Sequence, residues 1–228
     1  ECSNCHGRFR ADKLENPHKC PACGKEGTFS APRAFNMMFK TFVGPSGQDE
    51  LMIGERMEGP DDGRSLEGKK AITYDPNSVS YLRPETAQGI FTNFKNVVDS
   101  FYPDLPFGIA QQGKAFRNEI SPRDFVFRSR EFEQMEIEYF INPESWEAEF
   151  EKWVAACKEW FAALGLPEES VHELEVDEAD RAHYSKRTID FEFDYPIGRE
   201  ELMGLAYRTD FDLGNIQRVS GKGMEYTV

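Results

Sequence analysis

The sequence predicts an α+β fold: an antiparallel β-sheet flanked by helices, with a small separate knob at the N-terminus. Three observations carry this expectation. Helix-like and strand-like segments do not alternate regularly, which disfavours a parallel βαβ sheet and fits antiparallel strands with helices on one side. The stretch "TIDFEFDY" alternates cleanly, with Ile189, Phe191, Phe193 and Tyr195 on one face. Residues 1–28 differ from the rest, holding four of the five cysteines in two tight pairs.

The knob comes first in the chain. Cys2, Cys5, Cys20 and Cys23 form a Cys-x2-Cys, 14-residue gap, Cys-x2-Cys unit. Thiolates at this spacing can close a tetrahedron around Zn²⁺, each pair supplying a knuckle. With cysteine at all four positions no water site stays open, so the expected zinc is structural. His6 and His18 read as solvated loop residues rather than ligands. Paired cysteines of this kind indicate a metal site rather than a disulfide ladder, and favour a reducing, cytoplasmic setting.

The remainder, residues 29–228, is expected to form one core with a surface insertion at about 46–77, rich in Gly, Asp, Glu and Pro. A hydrophobic content of 39% with 13% aromatic residues indicates a globular chain rather than a disordered one. The formal charge of −14 argues against a non-specific nucleic-acid binder, although a local basic patch can still dock a nucleic-acid substrate. No apolar run approaches a transmembrane length, so no membrane association is expected. A chain that opens on Glu1 and stops at "GMEYTV" reads as a piece of a longer protein.

Two helices stand out. Pro84 and Thr86 mark an entrance, after which Ile90, Phe91, Phe94, Val97, Val98 and Phe101 recur at helical spacing. A second helix is expected from about Pro143 to Leu164, capped by Asn142 and stopped by Gly165. Its buried stripe is Trp146, Phe150, Trp153, Cys157, Phe161 and Leu164, which makes Cys157 a core residue rather than a reactive one. "ELMGLAYRTDFDL" is expected to follow "TIDFEFDY" as another strand.

The most unusual stretch is "FRNEISPRDFVFRSREFEQMEIEYF", residues 116–140, which mixes arginines and carboxylates with bulky apolar residues. Side chains alternate across a strand. Even positions from 128 give Arg128, Arg130, Phe132, Gln134, Glu136 and Glu138. The odd positions turn apolar toward the end, with Met135, Ile137 and Tyr139 expected to pack on a helix layer. Upstream, Ala115, Arg117 and Glu119 share a face, and Pro122 lets the chain turn, so a long hairpin is expected. Guanidinium groups hold phosphates and an aromatic ring stacks a purine. The carboxylates further along suit a cationic amine. ATP at one end and an amino acid at the other is the site these residues describe.

Here the sequence resembles a known family. Phe116-Arg117-Asn118-Glu119, a loop, and then Arg128 to Phe132 look like motif 2 of the class II aminoacyl-tRNA synthetases. "YLRPETAQGIF", "FRNEISPR", "REFEQMEIEYF" and "RTDFDL", in that order, resemble the homodimeric glycyl-tRNA synthetases. The resemblance runs from "FNMMFKTFVGP" onward. It implies a class II synthetase-type antiparallel sheet, ATP and Mg²⁺ as cofactors, and glycine and tRNA(Gly) as substrates of a homodimer. In that scheme Arg117 contacts the α-phosphate, Arg128 the outer phosphates, and Phe132 stacks adenine. Glu119 meets the adenine or the tRNA end, Glu85 and Glu136 take the glycine ammonium, and Glu201 binds Mg²⁺. Gly204 and Ala206 are suitable floor residues for a pocket that rejects larger amino acids. Motifs 1 and 3 and the anticodon-binding domain lie outside this sequence, and Tyr207 stands where the family usually has a polar or acidic residue. The competing expectations are a class II ligase for another amino acid and a catalytically silent synthetase-like interaction protein.

Overall fold

A computed structural model describes residues 1–11, 14–43, 52–54, 71–73 and 78–226. The chain divides into two compact units. The first comprises Glu1–Glu85 and Gly113–Gln134, and the second Thr86–Gln112 and Met135–Val228. Among the described residues, no helix is long and apolar enough to cross a membrane.

In the first unit, the cysteine-bearing segment forms two knuckles of the same construction. Cys2 N–H donates to the Gly7 carbonyl and Cys20 N–H to the Lys25 carbonyl, both at 2.9 Å. His6 N–H returns to the Cys2 carbonyl and Gly24 N–H to the Cys20 carbonyl, both at 2.8 Å. Each knuckle closes with a left-handed residue, His6 at φ 56° and Gly24 at φ 71°. Only the second is glycine, so the first carries the steric cost of a Cβ in that region. His6→Gly is therefore expected to stabilise the chain by about 0.5–1 kcal/mol in chemical denaturation, the relieved strain exceeding the added unfolded-state entropy. No gain in denaturation midpoint would refute this. Behind the knuckles, Phe9 meets Phe29 edge-on at 5.9 Å.

Beyond the knob the strands pair antiparallel. β1 (Lys40–Phe42) pairs with β4 (Val79–Tyr81), and β2 (Met52–Gly54) with β3 (Ala71–Thr73). The other residues of the expected insertion at 46–77 lie outside the described ones. β5 (Phe107–Phe116) and β6 (Glu131–Phe140) form a two-stranded sheet closed by the loop at 117–130.

The second unit holds the main core. α2 (Trp146–Ala163) packs on β7 (Val171–Glu175), β8 (Arg187–Tyr195) and β9 (Gly198–Tyr207), a three-stranded antiparallel sheet. Phe150, Val154, Cys157 and Phe161 meet Ile189 and Phe191, with Leu202, Met203 and Leu205 packed around them. The segment expected as one helix from Pro143 opens instead with a 3-10 turn, Pro143–Ser145, where the Asn142 side chain accepts from Glu144 N–H at 3.0 Å. α2 itself starts at Trp146, and Ser145 at its N-cap makes no side-chain cap bond. At the other end Gly165 leaves at φ 76°, as its stop signal requires. Burial pushes the Cys157 thiol pKa up, which keeps it protonated and inert. Leu164, expected in the stripe, is 57% exposed.

α1 (Ala87–Phe101) lays Phe91 and Phe94 against Phe107 of β5 and Phe140 of β6, with ring centroids 4.6–6.4 Å apart. Burial fades along the helix. Phe94 is buried, Val97 and Val98 are half-buried, and Phe101 is exposed next to a left-handed Tyr102. Phe101 is therefore not part of the stripe.

Two further expectations need correction. The apolar odd positions of β6 do not pack on a helix layer throughout: Met135 and Ile137 are exposed, and Tyr139 alone meets an aromatic of α2, Trp153, at 5.2 Å. The even positions Phe132, Gln134, Glu136 and Glu138 are the half-buried face. "RTDFDL" is not strand either. β9 stops at Tyr207, Thr209 turns left-handed at φ 57°, and α3 (Phe211–Ser220) begins, with Arg208 and Asp212 paired across its first turn.

Candidate functional site

The knob brings its four cysteines together. Their Sγ atoms all lie within 4.8 Å of one another, with Cys2–Cys23 at 3.8 Å and Cys5–Cys20 at 3.6 Å. A tetrahedron with metal–sulfur bonds of about 2.3 Å has edges of about 3.8 Å, so these thiols fit a thiophilic ion. Their acidities diverge as crowding requires. Hydrogen bonds from Thr28 and from backbone N–H groups pull the Cys2 pKa down to about 6. Cys5, although the Gly7 N–H favours its thiolate, is pushed up to about 12 by desolvation and the neighbouring sulfurs. Four sulfurs this close do not all ionise without a cation between them.

In the first unit, the hairpin end assembles the cationic residues. Arg117 N–H donates to the Arg130 carbonyl at 2.9 Å, and its Nε donates to the Pro84 carbonyl at 3.0 Å. This holds the guanidinium 5.2 Å from the centre of the Phe132 ring. Glu85 comes directly after Pro84 and is half-buried. Arg128 reaches Glu119 at 4.0 Å, the limit of an ion pair, while its Nε is buried with no hydrogen-bond partner among the described residues. A buried cationic donor left unmatched is costly, and a polyanion is the natural acceptor. The Glu119 carbonyl accepts from Arg130 Nε at 3.2 Å, and Asn118 donates to the Asn36 carbonyl at 3.1 Å, so both ends of the loop are anchored.

Arg83 belongs to the same construction, although its own sequence neighbourhood does not mark it. Its Nε donates to the Lys114 carbonyl at 2.6 Å, and its Nη2 occupies the space that a Cβ on Gly113 would need. The glycine inside an otherwise regular strand is the signal that points to it, because such glycines mark a close approach.

In the second unit, Glu136 of β6 meets the start of α1. Its Oε2 accepts from Thr86 N–H at 2.8 Å and from the Thr86 hydroxyl. Thr86 is fully buried. In the sequence Thr86 is only a helix marker, because nothing local connects it to a strand 50 residues on. Arg208 is also firmly held. Its guanidinium makes two hydrogen bonds to Asp212, at 2.8 and 3.0 Å, and covers the rings of Tyr184 at 3.8 Å and Phe91 at 5.1 Å.

Glu201 lies on the β9 face turned away from α2. A bulge in the β8–β9 pairing sets Glu201 opposite Glu192 and Met203 opposite Phe191, so Leu202 and Met203 both pack on the core. Glu201, Gly204 and Ala206 are left on the exposed face. A Cβ on Gly204 would stand 3.5 Å from both Asp190 Oδ1 and Glu201 Oε1. Burial, and then the charge of Glu192, raises the Asp190 pKa. Asp190 and Glu192 are not conspicuous in the sequence, since in "TIDFEFDY" they read as the solvated side of an alternating strand.

The family profile of the tRNA synthetase class II core domain (G, H, P, S and T) matches residues 71–219. The chain belongs to this family. Among curated relatives, the chain is 41% identical to a glycine–tRNA ligase of Cutibacterium acnes, over 99% of its length and 46% of that protein. It is 48% identical to glycine–tRNA ligases of Deinococcus radiodurans and Thermus thermophilus, over 86% of the chain and 33% of each of those proteins. The chain therefore spans about half the length, or less, of the curated relatives it matches. The Cutibacterium match extends over the cysteine knob, which the family profile leaves out.

Proposed function

We propose that the protein containing this chain activates glycine with ATP and transfers it to tRNA(Gly). The glycine carboxylate attacks the α-phosphorus of ATP, pyrophosphate departs, and the tRNA terminal hydroxyl then takes the glycyl group from AMP. The buried, unmatched Nε of Arg128 is the observation that carries this proposal, together with the names of the relatives. Arg128 takes the outer phosphates, and Arg117, held by the Pro84 carbonyl, takes the α-phosphate where negative charge develops. Phe132 stacks the adenine, and Glu119 contacts the adenine or the tRNA end. Glu85 and Glu136 are each assigned to the glycine ammonium. Glycine has no side chain to grip, so charge-assisted hydrogen bonds to its ammonium must supply the affinity. Glu201 is assigned to Mg²⁺, which when bound neutralises phosphate charge, and Asp190 beside it fits that role. The enzyme acts as a homodimer in the cytoplasm.

ATP–pyrophosphate exchange with a panel of amino acids on the full-length protein tests this. Exchange supported by glycine alone is expected. Exchange with a different amino acid would make it another class II ligase, and none at all would favour a silent interaction protein.

The knob completes the proposal as a structural zinc site. Cys20→Ser is expected to lower the metal content and the local stability, because losing a ligand removes metal-linked folding free energy. Metal analysis of the wild-type protein with no bound zinc would end this assignment.

A further inference from the structure

Glu136 does not stand alone at its site. The N–H and hydroxyl of Thr86 both donate to its Oε2, and no hydrogen bond among the described residues ends on Oε1. We propose that Thr86 is the positioning residue that orients the Glu136 carboxylate, holding one oxygen and presenting the other to the amino-acid ammonium. This rests on the assignment of Glu136 to that ammonium.

Four observations support it. Thr86 occupies the N-cap position of α1, where a threonine hydroxyl ordinarily accepts from an N–H of the first turn, yet it makes no such cap bond. Its hydroxyl is directed to Glu136 instead. The first turn of α1 also contains no acidic residue, so the negative charge that complements the helix N-terminus comes from β6. Thr86 is fully buried, so water does not compete for either donor. Both partners stand on packed elements, since Phe91 of α1 lies 6.4 Å from Phe140 of β6. Two donors from one rigid residue on one oxygen fix the plane of a carboxylate that a single bond would leave free to turn. Pre-orientation of this kind lowers the cost of binding a small cation.

The experiment is exchange kinetics on the full-length protein carrying Thr86→Val, which keeps the shape and the N–H but removes the hydroxyl. Its KM for glycine is expected to rise about tenfold, as for a lost hydrogen bond to a charged group, with the KM for ATP unchanged. Thr86→Ser, which restores the hydroxyl, should return the glycine KM to near the wild-type value. In a Glu136→Gln background the valine change should add little, because the oriented charge is already gone. A role in holding the fold alone would instead lower the melting temperature and shift both KM values. Should Thr86→Val not fold, Thr86→Ala is read in the same way. A raised glycine KM in Glu136→Gln with a normal one in the Thr86 variant overturns this proposal alone. A normal glycine KM in Glu136→Gln overturns the assignment of Glu136 and this proposal with it. Fully additive effects in the double variant also overturn it.

Discussion

Replacing Arg117 with alanine is expected to abolish adenylate formation while leaving the fold intact. The Arg117 side chain is half-buried, and it is held by a hydrogen bond to the Pro84 carbonyl and by the face of Phe132. Losing these contacts removes no core packing, so the far-UV spectrum and thermal midpoint should barely change. The effect on chemistry should be much larger. The proposed partner is a phosphate whose negative charge rises in the transition state, so kcat should fall by about 10²–10³-fold, more than the KM for ATP rises. Arg117→Lys should also be poor. Lysine keeps the charge but loses both the planar fork and the Nε–H that the Pro84 carbonyl fixes. Near-normal pyrophosphate exchange in the alanine variant would rule out the role.

Glu136→Gln should raise the KM for glycine by about 10–100-fold and leave ATP binding nearly unchanged. The variant is informative because it separates charge from shape. A glutamine carbonyl oxygen can still accept from Thr86 N–H and the Thr86 hydroxyl, so the start of α1 should keep its anchor. Only the charge proposed to face the ammonium is lost. Glu136→Ala removes both, and should open enough space to admit alanine weakly. An alternative role for a half-buried glutamate is to neutralise a nearby arginine. The hydrogen bonds to Glu136 come instead from Thr86, a neutral residue. A glycine KM unchanged in Glu136→Gln would remove Glu136 from the binding site.

Much was determined by the sequence alone, wherever the information is local. Two Cys-x2-Cys pairs specify a four-sulfur cluster because each pair closes its own knuckle through short-range backbone hydrogen bonds. Asn142 starts the 3-10 turn that leads into α2, and Gly165 closes the helix, because caps act within one turn. Alternation separated Ile189 and Phe191 from Asp190 and Glu192, because side-chain direction repeats every two residues. Tertiary structure alone decided the rest. Periodicity divides β6 into two faces but does not say which is covered. The apolar Met135 and Ile137 are exposed while Glu136 turns toward the buried Thr86. A single extra residue in the β8–β9 pairing sets Glu201 on the face that also carries Gly204 and Ala206, and no local pattern announces a bulge. The strand expected through "RTDFDL" ends because Arg208 finds Asp212 across a helical turn and rings from distant segments above it. Spacing in a sequence records what a residue's neighbours do within a turn or a pleat. A hydroxyl and a carboxylate 50 residues apart become partners only when a helix and a strand pack together.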